Sequence, residues 1–127
     1  MFRLVSFIFF LFLSATSASA DEYHCTMRGD FVGKTLIFKI DNKTGRGTVL
    51  DKEFIGEPVR AQFERRSATY VKLNWGFSFR HKSDGFWVTY RGTLRTTDGQ
   101  FTVNIAVQGG GNYGSIHKGA RGTCKHL

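Results

Sequence analysis

The sequence predicts a small all-β domain, an antiparallel meander of seven to eight strands that closes into a barrel or packs as a two-sheet sandwich, with its terminal strands linked by a disulfide. Three observations carry this expectation. Apolar residues recur with a period of two, and no segment of useful length shows a helical stripe. Turn residues part the alternating runs. The only two cysteines, Cys25 and Cys124, bracket almost all of the chain that follows an apolar leader.

The leader is subtracted first. Within residues 1–20 a single charge, Arg3, precedes the apolar run Leu4 to Leu13, and small residues end in Ala18-Ser19-Ala20. This is the pattern of a secretory signal peptide, with cleavage expected after Ala20. Ten apolar residues fall well short of the roughly 20 that a membrane-spanning helix requires. The expected organisation is therefore a signal peptide at 1–20 and a single soluble β domain at 21–127, periplasmic or secreted, with no transmembrane segment in the mature form. Of the 18 basic residues only Arg3 lies in the leader, so the remainder, which holds all 10 acids, carries +7. A basic exported domain is drawn to anionic lipid headgroups or acidic polysaccharide.

The elements follow in order. A first strand is expected around Tyr23 to Met27. Leu36, Phe38 and Ile40 alternate with polar neighbours, and Thr48-Val49-Leu50 returns after Asn42-Lys43-Thr44-Gly45, giving a hairpin. Val59, Ala61 and Phe63 alternate with Arg60, Gln62 and Glu64 until Arg65-Arg66-Ser67 breaks the run. Val71, Leu73 and Trp75 share one side of the next strand, which Gly76 interrupts before Phe77-Ser78-Phe79-Arg80. Ser83-Asp84-Gly85 is a hairpin signal, because glycine accepts the positive φ of a tight turn. Phe86, Val88, Tyr90, Gly92 and Leu94 then face one way and Trp87, Thr89, Arg91, Thr93 and Arg95 the other. After Asp98-Gly99, the residues Phe101, Val103, Ile105 and Val107 form the clearest core face; the glycine-rich stretch Gln108 to Gly114 leads to a last strand around Ala120 to Lys125.

A meander protects its edges by closing, which sets the first strand beside the last. A Cys25–Cys124 bridge would lock that closure and, by constraining the unfolded chain, stabilise the domain by about 4–5 kcal/mol. Redox and metal roles for these cysteines are not expected, since no Cys-x-x-Cys spacing is present.

Motifs that carry catalysis are missing from the sequence: no Gly-x-Ser-x-Gly, no His-Glu-x-x-His, no Walker-type phosphate loop and no structural zinc spacing. The acids are scattered, and Asp51 with Glu53 reads as a strand end facing water. His24, His117 and His126 flank the closing strands, but they read as surface histidines. Gln108 to Gly114 reads as a connection. No catalytic residue, metal or cofactor is expected. One constellation points to binding: Trp87 shares a face with Arg91 and Arg95, while Arg65, Arg66, Arg80, His81 and Lys82 sit at turns that neighbouring strands could bring together. Cations interleaved with an exposed indole hold anionic ligands by charge and stacking.

The fragments Phe38-Lys39-Ile40-Asp41-Asn42-Lys43-Thr44-Gly45, Val49-Leu50-Asp51, Pro58-Val59-Arg60-Ala61, Leu73-Asn74-Trp75, Tyr90-Arg91-Gly92-Thr93-Leu94 and Ala120-Arg121-Gly122-Thr123-Cys124, in this order after Cys25, carry a resemblance. Together they resemble a group of small uncharacterised exported proteins of alphaproteobacteria, over the whole mature chain. The resemblance implies a Gram-negative periplasm and brings no activity or site residues with it. It also makes the glycosylation-like Asn42-Lys43-Thr44 a chance match. The expected function is non-enzymatic: binding of an anionic envelope component, lipid headgroup or polysaccharide, or of a protein, through the basic aromatic face. Nucleic acid is not the expected partner. The alternative is a secreted inhibitor or toxin-like protein acting on another enzyme, perched on a loop such as Gln108 to Gly114.

Overall fold

The computed structural model describes residues 20–81, 84–109 and 115–127. Residues 1–19 of the leader, Lys82, Ser83 and residues 110–114 of the glycine-rich stretch lie outside the described residues. These form eight strands: β1 (Ala20–Arg28), β2 (Thr35–Asp41), β3 (Arg46–Asp51), β4 (Pro58–Arg65), β5 (Tyr70–His81), β6 (Asp84–Arg95), β7 (Gln100–Gly109) and β8 (Ser115–His126). Each pairs antiparallel with its neighbour in sequence, and β1 pairs with β8, so the sheet is a closed barrel. Of the two architectures the sequence allows, the barrel is the one formed. No helix among the described residues is long and apolar enough to cross a membrane.

Closure is set by the terminal register. Tyr23 to Arg28 lie opposite His126 to Arg121, which places Cys25 directly across from Cys124. The two form a disulfide with Cα atoms 3.9 Å apart. Gly122 lets the strands approach, because a Cβ there would overlap the Thr26 carbonyl oxygen and the Met27 sulfur. A disulfide across the seam is compatible with an exported protein, since such bonds persist in oxidising compartments.

The period-two pattern sorts the side chains. Phe38, Trp75, Tyr90 and Phe101 meet inside: Trp75 stacks on Tyr90 with ring centroids 4.8 Å apart, and Phe38 meets Trp75 and Phe101 edge-on at 5.2 and 5.6 Å. Aliphatic residues such as Leu36, Ile40, Val49, Leu73, Val103 and Ile105 fill the remaining space. The Phe101 ring occupies the room that a side chain at Gly92 would need. The outside carries Lys39, Arg46, Arg60, Arg91 and Arg121, all exposed. Apolar inside and charged outside is the opposite of a membrane-spanning barrel, whose outward face is an apolar band.

The two ends differ. Because strands alternate in direction, the C-terminal ends of β1, β3, β5 and β7 gather at one end. There Asp51, fully buried, accepts hydrogen bonds from the backbone N–H groups of Gly33 (2.8 Å) and Phe54 (2.9 Å), tying the first loop to the third. The Tyr90 hydroxyl donates to the Phe31 carbonyl at 2.5 Å and holds Phe31 at a φ of 62°, a left-handed conformation that costs a non-glycine residue free energy. Burial and the charge of Asp51 push the Tyr90 phenol upward. Phe31, Phe54 and Phe77 then meet edge-on at 6.4 and 5.9 Å and cap the barrel. The sequence expectation that Asp51 faces water with Glu53 is corrected here: the buried carboxylate is a loop latch, and only Glu53 is exposed.

At the other end the start of β1 meets the end of β8. Burial raises the Asp21 carboxyl, but hydrogen bonds from Asn42 (2.7 Å) and His126 (2.8 Å) outweigh it, so its pKa falls below the ordinary value. In the turn after β6, Arg95 binds Asp98 through Nε at 2.9 Å, and with the Gln100 amide it holds the Asp98 carboxyl down to about 2. A carboxylate lowered on folding stabilises fully above its unfolded value of 3.8, and that contribution disappears as pH falls toward the folded one. The stability difference between wild type and Asp98→Asn is therefore expected to be constant above about pH 5 and to shrink between pH 4 and 2. Urea unfolding across that range checks it, and parallel curves would refute it.

Candidate functional site

The outward face of β6 presents, from the capped end downward, Trp87, Thr89, Arg91, Thr93 and Arg95. Strand pairing sets neighbours beside them. Trp87 lies between Ser78 and Gln108, Thr89 between Gly76 and Ala106, and Arg91 between Asn74 and Asn104. Further across, His117 lies opposite Ala106 and Gly119 opposite Asn104. Small residues at Gly76, Ala106 and Gly119 leave room between the longer side chains.

Two shallow depressions result, and Gln108 borders both. One, of about 550 Å³, lies among Thr89, Arg91, Asn104, Gln108 and His117, with Lys118 on its rim. The other, of about 520 Å³, lies among Ser78, Arg80, Trp87 and Gln108. Trp87 is 51% exposed, an indole standing on the outside of the barrel. Its counterpart Trp75 is buried, with an indole N–H that meets no acceptor among the described residues. Arg91 is exposed and makes no ion pair or side-chain hydrogen bond with the described residues. Lys118 pairs loosely with Asp30 at 4.0 Å. Neither depression contains a carboxylate. The free groups are thus a flat aromatic ring, amides, two hydroxyls and cations, suited to stacking on an apolar ring face and donating to an anion.

The sequence-predicted constellation divides. Trp87 and Arg80 come together near the capped end around one depression, while Arg91, four residues further along β6, borders the other. Arg95 shares the face but sits at the far end of β6, where Asp98 and Gln100 engage it. Arg65 and Arg66 lie beside the β4–β5 turn, and Arg66 pairs with Glu64 at 3.4 Å. Between Arg66 and Arg80 runs nearly the whole of β5, roughly 35 Å at the usual rise per strand residue. Arg65 and Arg66 therefore do not join Arg80, because alternate turns of a meander face opposite ends. Lys82 lies outside the described residues. Asn104, Gln108, Thr89 and His117 were not among the predicted site residues. Their outward parity was readable beside Val103 and Val107, but nothing in the sequence ranks one neutral polar side chain above another.

His24 and His117 do not approach each other: His24 lies opposite Lys125 near the termini, and His117 lies opposite Ala106 toward the capped end. Among the described residues no group of three potential metal ligands gathers. The chain matches no family model, no curated protein and no solved structure.

Proposed function

We propose that the protein is a non-enzymatic, exported binding domain of the periplasm, and that it holds an acidic polysaccharide of the cell envelope on the outward face of β6 to β8. The observation that carries the reading is the exposed indole of Trp87 and, four residues along the same outward face of β6, the unpaired guanidinium of Arg91, bordering two depressions that meet at Gln108, with Gln108 and Asn104 as their respective partners across the strand pair. A sugar ring presents an apolar face that stacks on an indole, hydroxyls that pair with amides, and a carboxylate that a guanidinium binds. The barrel interior is filled by side chains, which favours the outside as the place where a ligand rests. The disulfide and the signal-peptide pattern support export.

A polyuronate column at low ionic strength tests this. Wild type is retained and elutes as salt rises, because screening weakens exposed charge contacts. Trp87→Ala is expected to weaken affinity about tenfold, since stacking on an aromatic contributes about 1–3 kcal/mol per ring in single-strand recognition. Arg91→Gln is expected to cost a similar factor by removing a charge-assisted contact. Retention unchanged in both variants would defeat the reading.

A further inference from the structure

The closing seam carries a second arrangement, separate from the face around Trp87. On the outside of β7, β8 and β1, six side chains form two rows. Thr102, Arg121 and Arg28 are partners across the three strands, and Gln100, Thr123 and Thr26 are partners one step further along. They border a depression of about 540 Å³.

Arg28 and Arg121 lie directly opposite one another and are both exposed. Like charges in that position repel. Neither makes an ion pair or side-chain hydrogen bond with the described residues, and the nearest acid in sequence, Asp30, is directed to Lys118. Strands β7 and β8 contain no acidic residue. The Cys25–Cys124 bridge, three residues away on each strand, and the close approach of Gly122 to Thr26 hold the seam together against that repulsion. In the second row the Gln100 side-chain oxygen accepts from Arg95 Nη2 at 2.7 Å, which leaves its NH2 group as the free end. The Thr26, Thr102 and Thr123 hydroxyls complete a set whose free groups are all able to donate.

We propose that this is a binding site for a phosphoryl group. Two guanidinium forks match the two negative charges of a phosphate monoester, and the amide and hydroxyls supply donors for its remaining lone pairs. A carboxylate has two coplanar oxygens, which one fork satisfies, leaving the second arginine unpaired. Bound phosphate also removes the repulsion, so binding and stability are linked.

The test uses the protein with inorganic phosphate as probe, acetate at equal ionic strength as control, and phosphatidylcholine vesicles with and without phosphatidic acid. Phosphate is expected to raise the thermal midpoint and to shift the backbone amide resonances of Arg121, Gly122 and Thr123, whereas acetate does neither. Arg28→Gln with Arg121→Gln is expected to weaken phosphate binding at least tenfold and, by ending the repulsion, to raise the midpoint in phosphate-free buffer. Lysine at both positions keeps the charge without the fork and is expected to bind severalfold more weakly than wild type. Binding to phosphate but not to phosphatidic acid vesicles assigns the site to a soluble phosphorylated compound; binding to both assigns it to a lipid headgroup. Wild-type affinity in the double glutamine variant, equal binding of acetate, or no binding of phosphate would overturn the proposal. Trp87→Ala and Arg91→Gln leave this phosphate binding unchanged, so the polysaccharide and phosphoryl sites fail or stand separately.

Discussion

Serine at both Cys25 and Cys124 is expected to lower the free energy of unfolding by about 4–5 kcal/mol. The bridge joins residues 99 apart in sequence, so it closes a loop containing nearly the entire barrel. In the unfolded chain that tether removes many conformations; in the folded chain it crosses a seam already in register, between buried partners. Domains of this size have total stabilities of roughly 5–15 kcal/mol, so the reduced protein is expected to be marginal. Urea unfolding of oxidised wild type against the double serine variant gives the number, and a difference under about 1 kcal/mol would show that strand pairing alone holds the seam.

Asp51→Ala is expected to destabilise by about 3 kcal/mol. The carboxylate is fully buried and accepts two backbone N–H groups from two loops. Removing it leaves both donors without that acceptor, the Gly33 N–H in a buried bond and the Phe54 N–H in a part-buried one that water partly recovers, at about 1–3 kcal/mol for a fully buried donor and less for the other. Asp51→Asn keeps the volume and one acceptor oxygen, and is expected to fall between alanine and wild type. Hydrogen exchange adds a local readout, since the Gly33 and Phe54 amides lose protection ahead of the β-ladder amides. If both amides stay protected in Asp51→Ala, the latch lies elsewhere. Loosening this end also frees Phe31 and Phe54 from the cap over Phe77, but it leaves the outward face of β6 in place.

The strands were legible because each buries one face, and a period of two is hard to mistake over runs such as Phe101 to Val107. The turns were legible where Asp98-Gly99 marks them. The Asp51 latch was not legible, since its partners Gly33 and Phe54 are joined to it only by register, and a carboxylate after an alternating run ordinarily faces solvent. The basic cluster was misjoined for a related reason. Arg65-Arg66 and Arg80 both precede turns, and composition does not say which end of a barrel a turn occupies. Strand order does: in a meander the turns alternate ends, which separates the β4–β5 turn from the β5–β6 turn. The Arg28–Arg121 pair was within reach of the same logic. If Cys25 faces Cys124 across antiparallel strands, the residue three beyond the first faces the residue three before the second.

The claim that Trp87, Arg91 and their neighbours form a polysaccharide-binding face is tested most directly by a nuclear magnetic resonance titration of the protein with a polyuronate oligosaccharide at low salt. The expected result is saturable shifts of the Trp87 indole N–H and of the Asn104 and Gln108 side-chain amides, while the buried Trp75 indole stays still, with the response lost in Arg91→Gln. Shifts confined to other surfaces, or no shift at millimolar oligosaccharide, would contradict it.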